Sequence, residues 1–598
     1  MIFKLNYRNK DHLHLASILG DRRIHKLLHP QLHEFDVPKV FYKLNAPTAL
    51  KVCNYSTFLK TLTSAKIREI LEKECECHKH KDFIYDVYGH VFTGDLNFVE
   101  ESDLREILKF GLKFRIERHT SWSKNLDSVK DDLTCNIKTF SRSFKICSVQ
   151  FQKWASKIIE VIKKRIRKIK YKYKFDKSHL NQMQILSDKL SSIHNNFIVS
   201  TVDKASNNYA FICKKFYVSV LLDELGFDKS TLEPVGNVTY VPVKETEMFI
   251  VKRHVVAIKD KFGITCDEDN KVLPRLFWVP KLHKNPFTYR FIAGARHSST
   301  KPLSVCINKG LQVIKSHFRR YCETIKRNCG LNFLWSINST NEFLVKIRDL
   351  KVFSMQVFDF STLYTNLEQN SIIEHLFELY DLIFNFSNRK FLCVGWKDSF
   401  FASKSYKTYS CFDVSLFKEA VKFVIDEVFI TFESLVFKQK TGIPMGGCCS
   451  PLLADLFLAH CEFKYMTSLL KDKKFGLARL LSNTSRYIDD LAIINYKCFD
   501  KLVDKIYPAG LIAERSGSID QTVDYLDVRV SVSSEVIRTS VFHKVDDFNF
   551  PVVLLTFPNS LIPLEMGGRV FAGQVLRYAR ICSRVEDFME KTIKTVNL

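Results

Sequence analysis

The sequence predicts an α+β chain of several domains, and three observations carry that expectation. The first is length, since 598 residues exceed what one hydrophobic core supports and imply three or four domains. The second is a texture of short β-like runs from about residue 190, "FIVSTVDK", "NYAFICKK" and "VTYVPV". The third is the stretch 352–535, where apolar strand-like runs alternate with helical patterns. A hydrophobic content of 46%, including 50 Phe, is ample for real cores.

From the start of the chain, residues 1 to about 145 are mixed and polar. They carry a Cys/His knot, "CECHKHKDF", at 75–83, followed by "YGHVFTGD". Cys75, Cys77, His78, His80 and His90 offer the nitrogen and sulfur donors that zinc prefers, with Cys75, Cys77 and His90 the first candidates. The C-x-C start is tighter than the usual two-to-four-residue spacing, and a polar surface loop is the competing reading. Next, in "QKWASKIIEVIKKRIRKIKYKYKF" at 152–175, Ile158, Ile159, Ile162, Ile166 and Ile169 recur at helical spacing among lysines and arginines. This predicts an amphipathic helix whose basic face is either solvated or set against phosphates. After the β-like runs comes "LPRLFWVPKLHKNPFTYRFIAG" at 273–294. The tail, 536–598, holds a strand-like "EVIRTSVFHKV" and a final basic helix around "GQVLRYARICSRVEDFMEK".

Lys and Arg outnumber Asp and Glu by 90 − 65 = 25. Such an excess points to a polyanionic partner, nucleic acid before an anionic membrane surface. No segment is apolar enough to span a bilayer, and the start has no apolar core of a signal peptide. Seventeen Cys, an odd number spread along the chain, fit reduced thiols. The expectation is an intracellular protein, nuclear and/or cytoplasmic, with no membrane partner.

Three stretches carry chemistry. In "FSMQVFDFSTLYTNL", 353–367, an apolar strand ends at Asp359, and a helix is expected to follow with Thr365 or Asn366 as its N-cap. Alone, Asp359 reads equally as a metal ligand or a helix-capping residue. "KTGIPMGGCCSPLLADLFLAHCEF", 440–463, is a glycine turn running into a helix, with Ser450 at the N-cap and Pro451 at the first helical position. Gly442, Gly446 and Gly447 remove side chains so that something can approach the backbone closely. "SRYIDDLAIIN", 485–495, sets Asp489 and Asp490 inside an apolar run that reads as a buried strand or a two-stranded hairpin. Unpaired buried carboxylates are costly, so these either face solvent at a turn or await a cation. Asp359 and Asp489 lie 489 − 359 = 130 residues apart, so only a folded sheet brings them together. Carboxylates on neighbouring strands can bind two Mg²⁺, which prefers oxygen ligands and nucleotide phosphates.

The order "FDFSTLYTNL", "GIPMGGCCSPLLADL", "RYIDDL", "DYLDVRV" resembles the palm of a reverse transcriptase. With "VDKASNN" and "VPKLHK" upstream, the wording is most similar to Penelope-like retroelement polymerases and to related reading frames of aquatic invertebrates. The likeness extends to "TGDLNFVEESDLREILKFGLKFR", "KVDDFNFPVV" and "VLRYARICSRVEDF", and so covers roughly residues 75–590. The resemblance implies a right-hand polymerase with a palm built on an antiparallel sheet. Its expected parts are a basic N-terminal extension at 1–180, fingers at 181–345, palm at 346–535 and a partial thumb at 536–598.

It further implies RNA-directed DNA polymerase activity with an RNA template, a DNA primer or target, dNTPs and two Mg²⁺ (or Mn²⁺). Asp359, Asp489 and Asp490 would be the catalytic, metal-binding acids, with Asp489 a direct ligand and Asp490 supporting. Phe360 would present its backbone to the triphosphate, and the Tyr364 ring would exclude a 2′-OH. Gly442, Ile443 and Pro444 would line the template–primer. Arg290 would neutralise the triphosphate, with Lys204, Lys281 and Lys284 as helpers. Tyr525, Leu526 and Asp527 would form the primer grip, and Arg577 and Arg580 would face duplex phosphates from a thumb helix. Three departures from the family pattern stand out: "GGCC" at 446–449, no GIY-YIG endonuclease motif and no RNase H-like acidic set. The expectation is a polymerase without a nuclease. The competing reading is a nucleic-acid-binding remnant that has lost activity; a telomerase-like or group II-like enzyme is a further alternative.

Overall fold

Side chains alternate between the two faces of the strands of this chain and recur every three to four residues along its helices, which sets what each element buries. The computed structural model describes residues 2–6, 41–45, 55–75, 77, 89–94, 96, 99, 102–113, 193, 195–266, 271–360, 363–443, 445–516, 522–533, 536–554 and 564–596. The basic segment 152–175, His78, His80 and Pro444 lie outside the described residues. The chain is α+β with antiparallel sheets, as the sequence predicts, apart from one parallel pair of Ile2–Asn6 with Phe41–Asn45, and it divides into two units.

The first unit comprises Met1–Phe58, Glu76–Cys213 and Phe550–Arg569. Its sheet has β1 (Val91–Phe92) and β2 (Phe197–Thr201) on either side of β3 (Tyr209–Cys213), all antiparallel. Every residue of β3 is buried. In the turn before β3, the Asn208 amide donates to Pro551 O at 2.9 Å and accepts from Val553 N at 2.9 Å, while Asn207 donates to Val553 O at 2.8 Å. Two side-chain amides thus act as a strand edge for "FPVV". This links two stretches, "VDKASNN" and "NFPVV", that are far apart in sequence.

The second unit comprises Leu59–Cys75, Lys214–Asn549 and Val570–Leu598. Its elements include a hairpin of β4 (Leu276–Lys281) and β5 (Thr288–Ala293), a long helix α1 (Lys301–Cys329), β6 (Met355–Phe360), α2 (Gln369–Ser387), α3 (Val414–Asp426) and α4 (Ser450–Lys471). Next come β7 (Ser485–Tyr487), β8 (Asp490–Ile494), β9 (Ala513–Ser516) and a meander of β10 (Thr522–Tyr525), β11 (Val528–Ser533) and β12 (Val536–Val541). Helices α5 (Leu564–Ile581) and α6 (Val585–Val596) follow. The central sheet has the order β7-β8-β6-β9, antiparallel throughout.

The pleat gives this sheet two faces. Phe358, Phe360, Leu491 and Ile493 pack with α1, α2, α3 and α4 through Leu311, Leu376, Val421 and Leu456. Met355, Val357, Ala492 and Ile494 pack on the other side with Val523, Tyr525 and Val530 of the meander and with Tyr578 and Ile581 of α5. At about 1.5–3 kcal/mol per fully buried large side chain, these two cores hold the sheet rigidly.

Three local expectations are corrected. Helix α2 begins at Gln369 with Glu368 as its cap, not at Thr365 or Asn366. The segment 364–368 is instead a partner for the glycine loop: Leu367 O accepts from Gly442 N at 2.7 Å, and Glu368 bridges to Thr441. Helix α4 begins at Ser450, capped by Cys449, one residue earlier than expected. The final basic helix is two helices, because Ser583 leaves α5 to donate its N–H to Thr539 O (2.8 Å) on β12. Among the described residues, no helix is long and apolar enough to cross a membrane.

Candidate active site

The register of the central sheet puts its acids in one row. Ala492 of β8, Val357 of β6 and Ser516 of β9 stand side by side, and two residues further along the same face stand Asp490, Asp359 and Glu514. Directly opposed residues on antiparallel strands hold their Cβ atoms about 4.5–5.5 Å apart. A row of small uncharged residues therefore gives way to three adjacent carboxylates at the end of the sheet. Glu514 was not singled out in the sequence, because "AERS" has no strand-like alternation and its place depends wholly on pairing with β6. Burial pushes the Asp359 carboxyl above its usual range, Asp489 adds to the rise, and Lys284 and Lys544 oppose it while Glu514 reinforces it.

Asp489 sits beside this row in a two-residue hairpin turn, since Tyr487 pairs with Asp490 and only Ile488 and Asp489 lie between. Its carbonyl accepts the Phe360 N–H at 3.3 Å, so the backbone donor of Phe360 is already engaged. Ile488 has φ 55°, which a β-branched residue adopts at a cost of about 1–3 kcal/mol. "SRYIDDLAIIN" is thus a hairpin with one acid in a strained turn and the other in the strand.

What enforces that turn is Arg486, which is fully buried. Its guanidinium donates to the Ile488 carbonyl at 2.9 Å, to Asp455 Oδ1 at 2.8 Å and to Asp455 O at 3.0 Å. It also pairs with both carboxylate oxygens of Glu462. Lys315 meets Asp455 at 2.7 Å, Ser336 donates to Asp455 at 2.9 Å, and the Tyr507 hydroxyl donates to Glu462 at 2.9 Å. Five donors on one rigid fork can satisfy two acids and a strained carbonyl together, which a lysine cannot do.

The glycine loop positions Tyr364. Gly442 has φ 75°, and a Cβ there would lie 2.1 Å from Tyr364 O; Ile443 N donates to that same oxygen at 3.0 Å. Gly442→Ala is expected to lower stability by about 1–3 kcal/mol through strain and clash, read as a lower melting temperature. Gly446, at φ 116°, packs against Ala293 O, and Ala293 N donates to Met445 O at 2.8 Å. The loop therefore touches both Tyr364 and the end of β5, the strand that carries Arg290. The half-buried Tyr364 phenol is pushed up to about 12 by burial and by Asp489 and Asp455, with Arg290 pulling the other way. Lys281 closes the β4–β5 pairing opposite Thr288, and exposed Lys284 lies in the turn beyond it. Lys204 is exposed, with φ 65°, in the first unit.

Tyr525, fully buried, donates to Ser485 O at 3.3 Å and Asp490 O at 3.4 Å, buttressing the acid hairpin from behind. Leu526 (φ 56°) and Asp527 form the two-residue turn between β10 and β11. Arg577 Nε donates to Asp527 at 2.7 Å, and Thr340 also donates to Asp527. Arg580 is exposed. Cys75, Cys77 and His90 do come together, joined by Cys213.

No family model matches this chain, and no curated protein does. Among solved structures it is similar to a telomerase from Candida albicans in complex with a fragment of telomeric RNA, at 11% identity over 86% of this chain and 83% of that one, TM-score 0.43. It is also similar to an apo telomerase from Candida tropicalis truncated from its C-terminal domain, at 13% identity, 83% of this chain and 92% of that one, TM-score 0.38. A BmCPV RNA-dependent RNA polymerase at elongation state matches at 11% identity, 70% of this chain and 38% of that one, TM-score 0.33. At such scores the likeness stands beside the geometry without adding to it.

Proposed function

We propose that this chain is an RNA-directed DNA polymerase that adds a dNTP to a primer 3′-OH. The observation that carries the reading is the row Asp490–Asp359–Glu514 with Asp489 in the adjoining turn. These are oxygen donors only, and burial together with the neighbouring Asp489 makes Asp359 resist ionisation, which suits a hard divalent cation. Asp359 and Asp489 would hold Mg²⁺, with Asp490 and Glu514 beside them. When bound, the ions supply positive charge to the attacking and leaving oxygens of phosphoryl transfer.

In this reading the residues of the chain do the positioning. Arg290 and Lys284 meet the triphosphate, and Lys544, exposed and acting on Asp359, joins them. Gly442 lets the loop backbone close directly onto Tyr364. The primer 3′-OH gives up its proton and bonds to the α-phosphorus as the bond to the bridging oxygen breaks, releasing pyrophosphate. The motif wording supports a retroelement polymerase of the Penelope-like type, and the intact acids argue against a decayed remnant.

The Tyr364 ring, fixed by the glycine loop, meets a ribose 2′-OH by steric clash, so deoxynucleotides are the substrates. Single-nucleotide addition to a DNA primer on an RNA template tests this. The complementary dNTP is expected to be added. Tyr364→Val is expected to raise ribonucleotide use relative to deoxynucleotide use by about 10- to 200-fold, the range one small group commands in a pocket. Unchanged discrimination would remove Tyr364 from this role.

A further inference from the structure

The sheet of the first unit carries a cluster that nucleotide addition does not use. The β1–β3 register pairs Val91 with Ile212, so His90 falls opposite Cys213, and Cys213 N donates to His90 O at 3.1 Å. Opposed residues in an antiparallel pair project to the same face, which sets an imidazole beside a thiol. Cys77 joins them from the start of the same segment of chain. Cys75, the residue just before that segment, completes the set. One ligand atom from each of Cys75, Cys77, His90 and Cys213 lies within 4.8 Å of the others. Cys77 and Cys213 are buried, and Cys75 and His90 half-buried.

We propose that Cys75, Cys77, His90 and Cys213 form a structural zinc site, independent of the polymerase reading. Three sulfurs and one imidazole nitrogen are the donors of closed, tetrahedral Cys₃His sites. With Zn–S about 2.3 Å and Zn–N about 2.0–2.1 Å, tetrahedral ligand atoms stand roughly 3.5–3.8 Å apart, so a small contraction of this cluster suffices. Four protein ligands leave no open position for substrate, so the role is structural. The need is visible in the fold: β1 has only two residues, Val91 and Phe92, and two ladder pairs are a thin attachment for an edge strand. An ion held by His90 and Cys213 clamps that edge. Zinc binding displaces any thiol protons to solvent and changes no oxidation state.

The test uses the full chain purified without added chelator. Metal analysis is expected to give about one zinc per chain. Replacing zinc with Co²⁺ is expected to give the ligand-field bands of a tetrahedral ion with thiolate charge transfer. Cys213→Ser and His90→Ala are each expected to weaken zinc at least about tenfold in chelator competition. His90→Cys is expected to keep it with a four-thiolate cobalt spectrum, and Cys393→Ser to leave it unchanged. Should Cys213→Ser fail to fold, alkylation of the wild type decides: Cys75, Cys77 and Cys213 should be protected until a chelator is added. A wild type with neither zinc nor cobalt bands, a disulfide among these cysteines, or full zinc retention in Cys213→Ser would overturn the proposal.

Discussion

Asp359→Asn is expected to abolish nucleotide addition while making the metal-free protein more stable, two effects that ordinary damage to a fold does not combine. Losing a charged ligand from a two-metal site removes transition-state stabilisation, and a fall of about 10²- to 10³-fold is the scale of losing even one electrostatic stabiliser. The stability effect follows from the sign of the pKa shift. The Asp359 carboxyl is raised by burial and by Asp489, so the folded chain favours its protonated form. The contribution this group makes to stability is therefore full at low pH and is lost as pH rises through the raised folded value, which leaves a cost at neutral pH. A neutral Asn at the same place removes that cost, for an expected rise of about 1–3 °C in melting temperature without metal. Mg²⁺ should raise the melting temperature of the wild type and do so less for Asp359→Asn, since only the folded state offers the site. Thermal scans with and without Mg²⁺ at pH 7 read both. A lower metal-free melting temperature for Asp359→Asn would show that the carboxylates are not crowded as described.

Arg486→Met is expected to cost about 3–5 kcal/mol, the usual penalty for removing one partner from a buried charge network. Here Glu462 and Asp455 would be left buried, Glu462 losing the Arg486 guanidinium and Asp455 keeping Lys315. The same change withdraws the donor on Ile488 O, so the hairpin should relax from the positive-φ turn that presents Asp489. Arg486→Lys tests the second effect separately, because it keeps the charge but cannot fork to two acids and a carbonyl at once. Urea unfolding should show a large loss for Met and a smaller one for Lys. Both variants should be poor in nucleotide addition despite retaining every acid. If Arg486→Lys matched the wild type in addition, the network would be packing alone and not support for the turn.

Much of the site was legible in the sequence because its parts are local. A strand that ends on an acid, a glycine run before a helix and two acids in an apolar hairpin can each be read from a dozen residues, and the sheet brings them together. What escaped the reading depends on pairing between distant segments. Glu514 becomes a neighbour of Asp359 only through β6, and Cys213 joins the cysteines near residue 75 only because β3 lies beside β1. Arg486, Asp455 and Glu462 look like ordinary surface charges in "SRY" and "LADLFLAHCEF", and nothing local shows that they are buried together. The Arg577–Asp527 pair escaped for the same reason, since a basic residue on an amphipathic helix shows its sign but not its partner. The start of α2 was misplaced because the backbone at 364–368 serves the glycine loop, a use that outweighs local helix propensity.

The central claim is that Asp489, in its enforced turn beside Asp359, belongs to a nucleotide-adding centre. Primer extension on an RNA template with dNTPs and Mg²⁺, run side by side for the wild type and Asp489→Asn, tests it most directly. The expected result is extension by the wild type and none by Asp489→Asn, with both proteins folded by thermal scan. No extension by the wild type would contradict the polymerase reading, and equal extension by both would contradict the site.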